Sequence, residues 1–234
     1  MTTSTVYTQV NRVCADICAK AMHTSVSDLH EAMGGTLAKA HTMSNLMRPL
    51  ITGVRIAGPA VTAHCPPADN LMMHKSLFMS QKGDVLVVQC PESGAQWGDM
   101  AAFYAKQKGL AGVVVDGFIR DTDDLIEMQS AVWATKIGPS SPQKNGHGSV
   151  NAPIVCDGVY VEPGDLVVAD GDGVIVIPRL QAEVVVSHAL ERKNKEDAVR
   201  QLILKGEHPW HLHACDKNYE KLAIQDIQST WNQL

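Results

Sequence analysis

The sequence lacks the short motifs that identify several common enzyme classes. It has no G-x-G-x-x-G after a strand, no P-loop and no G-x-S-x-G, so it carries no signature of a dinucleotide-binding, P-loop or serine-hydrolase site. No lysine lies in a plainly apolar strand, where a Schiff base would need a desolvated amine. These absences disfavour lysine-dependent chemistry at a carbonyl group.

Basic clusters and long apolar runs are also missing. Charged residues make up 19% of the 234 residues, the net charge is −5 and there is no basic block. We therefore expect neither nucleic acid nor a membrane surface as a partner. No apolar run approaches the roughly 18 residues of a membrane span, and the N-terminal stretch has no signal-peptide core. These features predict a cytoplasmic protein.

Cysteine is present without the spacing of a metal site. The six cysteines are scattered and form no C-x-x-C pair, so a zinc site is not expected. Cys14 and Cys18 lie one helical turn apart, and in a cytoplasmic protein a packed, reduced pair is favoured over a disulfide. With 45% hydrophobic residues, the chain can bury a substantial core.

One stretch, GDMAAFYAKQKGLAGVVVDGFIRD from Gly98 to Asp121, predicts a helix followed by a buried strand. Asp99 is a suitable N-cap for a helix over residues 100–108, and Gly109 is a suitable end. The β-branched run over residues 110–115 predicts the strand. Arg120 and Asp121 then lie just past its end.

If the helix start and the strand end are neighbours, they form a site for an anion together with a divalent cation. The helix N-terminus favours a carboxylate or phosphate, and Arg120 is a permanent cation. Asp99 and Asp121 supply the hard oxygen ligands that Mg²⁺ or Mn²⁺ prefer. The spacing alone also allows a purely structural interpretation, because Gly-Asp is a common helix start and Asp-Gly a common turn.

The remaining pattern predicts an alternation of helices and strands. Helices are expected over residues 8–22, over 25–33 with a capping box of Ser25 and Asp28, and over 180–205. Strands are expected over 54–63 (broken at Gly58-Pro59), 85–90, 132–133, 152–161, 166–169 and 173–177, and an exposed loop over 138–147. The acidic turn over 170–173 is predicted to join a hairpin rather than to bind a metal.

The Gly98–Asp121 stretch resembles the family of 4-hydroxy-4-methyl-2-oxoglutarate and 4-carboxy-4-hydroxy-2-oxoadipate aldolases, which shares its fold with the regulator of ribonuclease activity A. Further matches occur in the same order: MRP (47–49), IAGPAVTAHCPPADN (56–70), GSVNAPIVCDGVYVEPGD (148–165) and ADGDGVIVIP (169–178). The resemblance implies an α/β fold of the swivelling ββα type, with a β-sheet core flanked by helices. We expect one such domain over residues 1–205 and a helical extension over 206–234, which departs from the family.

The resemblance also implies an activity. It is the divalent-metal-dependent (class II) cleavage of a 4-hydroxy-2-oxo di- or tricarboxylate to release pyruvate, with Mg²⁺ or Mn²⁺ as cofactor. Oxaloacetate decarboxylation is the expected side activity, and the degradation of aromatic compounds the expected setting. The family forms homotrimers or homohexamers with sites between subunits, and we expect the same assembly here.

Site residues are implied by the same resemblance. Asp121 would be the direct metal ligand, Asp99 would hold a water of the metal, and Arg120 would stabilise the enolate. The helix start after Gly98, with the backbone N–H groups of Met100 and Ala101, would bind the pyruvyl carboxylate.

Three further residues enter through the resemblance. Asn70 and His74, which helical i,i+4 spacing puts on one face, would touch the substrate or a metal-bound water; His74 could equally be a hydrogen-bonded wall residue. Glu196, on the charged part of the last long helix, is implied to reach a neighbouring subunit's site and orient the catalytic base. A run of charge on a helix is otherwise a solvated face.

The alternative function is a non-catalytic, protein-binding regulator of ribonuclease activity on the same fold. The resemblance implies that the aldolases and the regulators differ at the residue after Arg120, where the regulators lack an acid. This chain has both Asp99 and Asp121, which favours the enzyme.

Overall fold

The fold is α/β, as expected, in a computed structural model that describes residues 4–90 and 92–233. The strands are β1 Thr5–Val6, β2 Arg48–Pro49, β3 Ile56–His64, β4 Val85–Gln89, β5 Ala95–Trp97, β6 Gly112–Ile119, β7 Val132–Ile137, β8 Ser149–Val150, β9 Ile154–Cys156, β10 Val159–Val161, β11 Leu166–Asp170 and β12 Gly173–Ile177. The helices are α1 Ala15–Ala21, α2 Val26–Ala32, α3 Leu71–Met79, α4 Asp99–Lys108, α5 Thr122–Glu127, α6 Ala182–Leu204, α7 Pro209–Leu212 and α8 Cys215–Lys221, with 3-10 turns at Leu37–His41 and Trp231–Gln233. The chain forms two compact units, residues 1–190 and 191–234.

The first unit is built on a sheet whose centre is parallel. Its strand order is β1-β8-β3-β4-β6-β7-β2, and the four central strands β3, β4, β6 and β7 run parallel to one another, whereas β8 and β2 pair antiparallel with β3 and β7. The apolar runs of β4 and β6 are buried on both faces, as parallel strands covered on two sides require. Helices α3 and α4 cover one face, and β9 to β12 pack against the other. Helices α1 and α2 and the start of α6 pack on β11 and β12.

Strand β3 is continuous, so the predicted break at Gly58-Pro59 is wrong. The strand changes partner there: residues 56–59 pair antiparallel with β11, and residues 60–64 pair parallel with β4. A side chain at Gly58 would place its Cβ 2.2 Å from the carbonyl oxygen of Gly83. Gly58 therefore permits a close backbone approach within the strand.

The first predicted helix is much shorter in the structure. Helix α1 spans only Ala15–Ala21, because the preceding segment makes long-range contacts instead. Arg12 forms a bidentate ion pair with the fully buried Asp84, at 2.8 and 2.9 Å, and Val13 N–H donates to the carbonyl of Gly164. Tertiary bonds have replaced the helical ones.

Other local predictions are confirmed. The Ser25–Asp28 capping box is present, and Gly109 ends α4 in the left-handed conformation, at φ 76°. Strands β11 and β12 form the expected hairpin across the acidic turn. Strand β6 runs to Ile119, four residues beyond the predicted end.

The second unit contains the end of α6 followed by α7 and α8. None of its described residues, 191–233, is buried. Glu196 lies on α6, where it forms an i,i+4 ion pair with Arg192 at 3.3 Å. No helix in the described part of the chain is long and apolar enough to cross a membrane. The domain boundary at residue 205 stays a prediction.

Candidate active site at the start of helix α4

The start of α4 and the end of β6 are neighbours. Gly98, not Asp99 as predicted, is the N-cap, and Asp99 is the first helical residue. The Oδ2 oxygen of Asp121 lies 3.4 Å from the Asp99 backbone nitrogen, which donates to it, and 3.2 Å from Nε of Arg120. Asp121 has left-handed backbone angles, φ 55° and ψ 43°, which turn the chain after β6 into α5. The carboxylate thus meets both the helix start and the adjacent cation.

Strand β5 explains why these groups meet. It pairs with the end of β6, and the backbone N–H of Arg120 donates to the carbonyl of Trp97 at 3.0 Å. Gly98 therefore lies directly beside the Arg120-Asp121 pair. A Cβ at Gly98 would lie 2.5 Å from Asp121 Oδ2. Glycine is therefore needed here so that the carboxylate can approach. The Gly98 backbone itself is extended, which any residue could adopt.

A cleft of about 240 Å³ opens in front of this helix start. It is lined by Asn70, Met73, His74, Ala95, Gln96, Trp97, Gly98, Asp99, Met100, Ala101, Arg120, Ser141, Pro142 and Lys144. Seven of the nine sequence-predicted site residues are in this lining. Asp121 is not in the lining but contacts two residues that are, Arg120 and Asp99, and Glu196 belongs to the second unit.

Helix α3 places the predicted pair Asn70 and His74 on this cleft. Asn70 is the N-cap of α3, and its carbonyl accepts the backbone N–H of His74 at 3.1 Å. Burial, and then the positive charge of Lys144, lower the pKa of His74 below its ordinary value of 6.5. His74 is therefore a neutral imidazole near pH 7, able to accept or donate one proton.

Seven of the fourteen lining residues were not predicted from the sequence, among them Gln96, Trp97 and Lys144. Gln96 is fully buried; its amide donates to the carbonyls of Asp69 and Gly94, and its Oε1 has no partner among the described residues. Trp97 Nε1 is likewise buried without a described partner. Lys144 lies in the loop that was predicted only as exposed. No local signal marks these residues, because only the packing of three separate segments brings them together.

The donor set fits a magnesium-type ion. The described residues contain no group of three or more His, Cys, Asp or Glu side chains that could hold a metal. Mg²⁺ does not require one, because it is usually held by one or two carboxylates, with water and substrate completing the shell. Asp121 and Asp99 could supply these carboxylates, and Oδ1 of Asp121 makes no hydrogen bond within residues 4–90 and 92–233.

Comparison with known proteins decides the family, since residues 26–176 match the RraA-like family model, described as Aldolase/RraA. The chain belongs to the RraA-like family. Among curated relatives, it is 36% identical over 163 residues to a Halalkalibacterium halodurans protein named "Putative 4-hydroxy-4-methyl-2-oxoglutarate aldolase", covering 68% of this chain and 76% of the relative. The predicted family is thereby confirmed.

Solved structures agree with this RraA-like assignment. A Streptomyces coelicolor member of the RNase ES inhibitor RraA protein family aligns with a TM-score of 0.71 and 30% identity, covering 82% of this chain and 99% of its own. An uncharacterized Pseudomonas syringae protein aligns with a TM-score of 0.75 and 24% identity, covering 85% of this chain and 96% of its own. The second likeness supports the fold alone, and the predicted fold class is confirmed.

Proposed function

We propose that this RraA-like protein is a divalent-metal-dependent lyase that cleaves a 4-hydroxy-2-oxo di- or tricarboxylate and releases pyruvate. The substrate class is represented by 4-hydroxy-4-methyl-2-oxoglutarate and 4-carboxy-4-hydroxy-2-oxoadipate. One observation carries the proposal: the Asp121 carboxylate meets the first amide of α4 beside Arg120. A helix start, a carboxylate and a cation are the groups that a metal-assisted reaction of a 2-oxo acid needs.

The metal, Mg²⁺ or Mn²⁺, would be held by Asp121 with the help of Asp99, and would supply Lewis-acid polarisation of the 2-oxo group. The start of α4 would bind the substrate carboxylate. The first bond of the helix runs from Ala102 N–H to the Gly98 carbonyl, so the amides of Met100 and Ala101 are free of helical partners. Two N–H groups and the helix dipole then face the anion.

Bond cleavage needs a base and a group that accepts developing charge. A base removes the proton of the 4-hydroxyl, the C3–C4 bond breaks, and its electron pair forms the enolate of pyruvate, which is then protonated at C3. Arg120 would stabilise the enolate oxygen, an interaction that strengthens as charge develops. Neutral His74 in the cleft is one candidate for the base, and a water oriented by Glu196 of a neighbouring subunit is the other.

This proposal carries two corollaries. Oxaloacetate decarboxylation yields the same enolate and should occur as a side activity. A role for Glu196 requires an assembly, a homotrimer or homohexamer, in which the second unit of one chain reaches the cleft of another.

The test is pyruvate release from a panel of 4-hydroxy-2-oxo acids and oxaloacetate, coupled to lactate dehydrogenase, with Mg²⁺, Mn²⁺ or excess EDTA. We expect metal-dependent pyruvate release that Asp121→Asn abolishes. Asp124→Asn is the matched control, because Asp124 lies exposed in the first turn of α5, outside the cleft lining. Absence of pyruvate release from the whole panel would reject the proposal.

The likeness to the ribonuclease-inhibitor structure supports a second candidate, a non-catalytic regulator that binds a ribonuclease of the E type. It predicts slower RNA cleavage by that enzyme when this protein is added. Inhibition that survives in Asp121→Asn, with no pyruvate released by the wild type, would favour this candidate.

A further inference from the structure

Asp69 joins three walls of the cleft although it does not line the cleft itself. Its side chain is 3% exposed. Oδ1 accepts the backbone N–H of Leu71 at the start of α3, at 2.8 Å. Oδ2 accepts the backbone N–H groups of Asn145 and Gly146, at 2.7 and 2.8 Å, and the Asp69 carbonyl accepts the amide of Gln96.

The loop over residues 138–147 is therefore attached to the cleft at two places. Gln143 exchanges backbone bonds with Ala68 and Asn70, at 2.7 and 3.0 Å. The Asp69 carboxylate holds the next segment, residues 144–146, through the two N–H groups named above. Lys144 lies between these attachments, lines the cleft and forms no ion pair with any residue the structure describes.

Gly146 shows how tightly the carboxylate is enclosed. A Cβ at this position would lie 2.7 Å from Cγ of Asp69 and 2.7 Å from Cγ of Pro66. Burial by itself raises the pKa of Asp69, but the three backbone N–H groups and Lys144 outweigh it and hold this pKa below its ordinary value. The carboxylate is thus charged, and both of its oxygens are bonded: Oδ1 holds the start of α3 and Oδ2 holds the loop.

We propose that Asp69 is a positioning residue that fixes residues 144–146, and with them the Lys144 ammonium, at the wall of the cleft formed by α3 and the loop. The Lys144 ammonium would bind the second anionic group of the substrate, because Arg120 and the start of α4 are already assigned to the pyruvyl half. The inference rests on the proposed function. Asp69 would therefore determine the affinity for the longer substrate and not the rate of the reaction on the pyruvyl half.

Two variants perturb this contact from opposite sides. Asp69→Asn turns its amide NH₂ towards either Leu71 or the loop. On that side the NH₂ donor then faces a backbone N–H donor, and the hydrogen bond is lost. Gly146→Ala keeps the charge but pushes the carboxylate away. Asp165→Asn is the matched control: Asp165 is also buried, at 6% exposure, and accepts two backbone N–H groups, from Glu162 and Arg179, but lies outside the cleft.

The first measurement compares two reactions that share the pyruvate half: cleavage of a 4-hydroxy-2-oxo dicarboxylate, and exchange of pyruvate methyl protons with deuterated water. We expect Asp69→Asn and Gly146→Ala to raise KM for the dicarboxylate about tenfold, the loss of one modest binding contact. Their kcat and pyruvate exchange should stay near wild type, and Asp165→Asn should leave KM unchanged. An unchanged KM in both cleft variants, or equal loss of both reactions, overturns the inference.

The second measurement does not depend on activity. Hydrogen exchange at the Asn145 and Gly146 amides should be at least about tenfold faster in Asp69→Asn than in the wild type, because bonded amides exchange only on opening. Asp165→Asn should not change exchange at these two amides. Unchanged exchange in Asp69→Asn overturns the attachment itself. Faster exchange with no pyruvate release from the wild type would instead reject the proposed function.

Discussion

Asp121 and Gly98 are complementary: the Oδ2 oxygen of Asp121 occupies the space that a Cβ on residue 98 would need, 2.5 Å away. The carboxylate reaches the start of α4 only because residue 98 has no side chain. The backbone of Gly98 is extended, at φ −160°, a conformation open to any residue. The requirement for glycine at this position is therefore steric and local to the proposed site.

Gly98→Ala should displace the Asp121 carboxylate without straining the backbone. We expect pyruvate release to fall about tenfold or more, a barrier increase of ~1.4 kcal/mol, with a small change in thermal stability. Gly171→Ala is the control, because an added Cβ there meets nothing within 4 Å. Near-normal turnover of folded Gly98→Ala would show that the position of this carboxylate does not matter for activity.

Asp121→Asn should weaken binding of the metal. An amide oxygen is a neutral ligand, so the electrostatic attraction for Mg²⁺ or Mn²⁺ falls. Titration with Mn²⁺, followed by electron paramagnetic resonance, should show weaker binding in Asp121→Asn than in wild type or Asp124→Asn. Equal Mn²⁺ affinity in all three proteins would show that Asp121 is not a metal ligand.

Arg120→Ala should lower kcat by a factor on the order of 10² to 10³, as for loss of one oxyanion donor. Arg120→Lys should remain well below wild type, since an ammonium cannot reproduce the planar fork. Aldol cleavage and oxaloacetate decarboxylation should fall together because both pass through the enolate. If Arg120 serves only as the ion-pair partner of Asp121, stability would fall instead and kcat would stay above about a tenth of the wild-type value, a barrier increase of less than ~1.4 kcal/mol.

His74 makes stability depend on pH. Its pKa is lowered in the folded protein, so the unfolded chain binds more protons and the free energy of unfolding falls as pH drops through 6.5, the ordinary value. Urea unfolding at about pH 7.5 and about pH 5.5 should show this loss reduced in His74→Gln. His188→Gln, an exposed position on α6, is the control. An identical pH dependence in His74→Gln and wild type would contradict the assignment.

Variants of Glu196 test whether this residue contributes to the active site of a neighbouring chain. If it acts on a neighbouring chain, Glu196→Gln and Asp121→Asn should each be inactive, and mixed assemblies of the two should regain activity because some clefts receive both native residues. Asp197→Asn, which alters an adjacent acid paired with Arg200, should retain activity. A fully active monomer in sedimentation, or no regain on mixing, would remove Glu196 from the reaction.

The sequence by itself determined most of the local structure and the pieces of the site. Features that depend on neighbouring residues could be predicted: the Ser25 capping box, the left-handed Gly109, the buried run of β4 and the placement of Arg120 and Asp121 after β6. Their physical causes, caps, turns and apolar periodicity, act within a few residues of the chain.

Tertiary structure decided what depends on partners distant in sequence. The segment before α1 is not helical because Arg12 pairs with Asp84, and β3 passes through Pro59 without a break because it changes partner there. The cleft gained Lys144 because the Asp69 carboxylate, fixed at the start of α3, finds the amides of a loop 76 and 77 residues away. A buried carboxylate accepts hydrogen bonds from the donors that lie next to it in the folded chain. These donors cannot be predicted from spacing along the sequence.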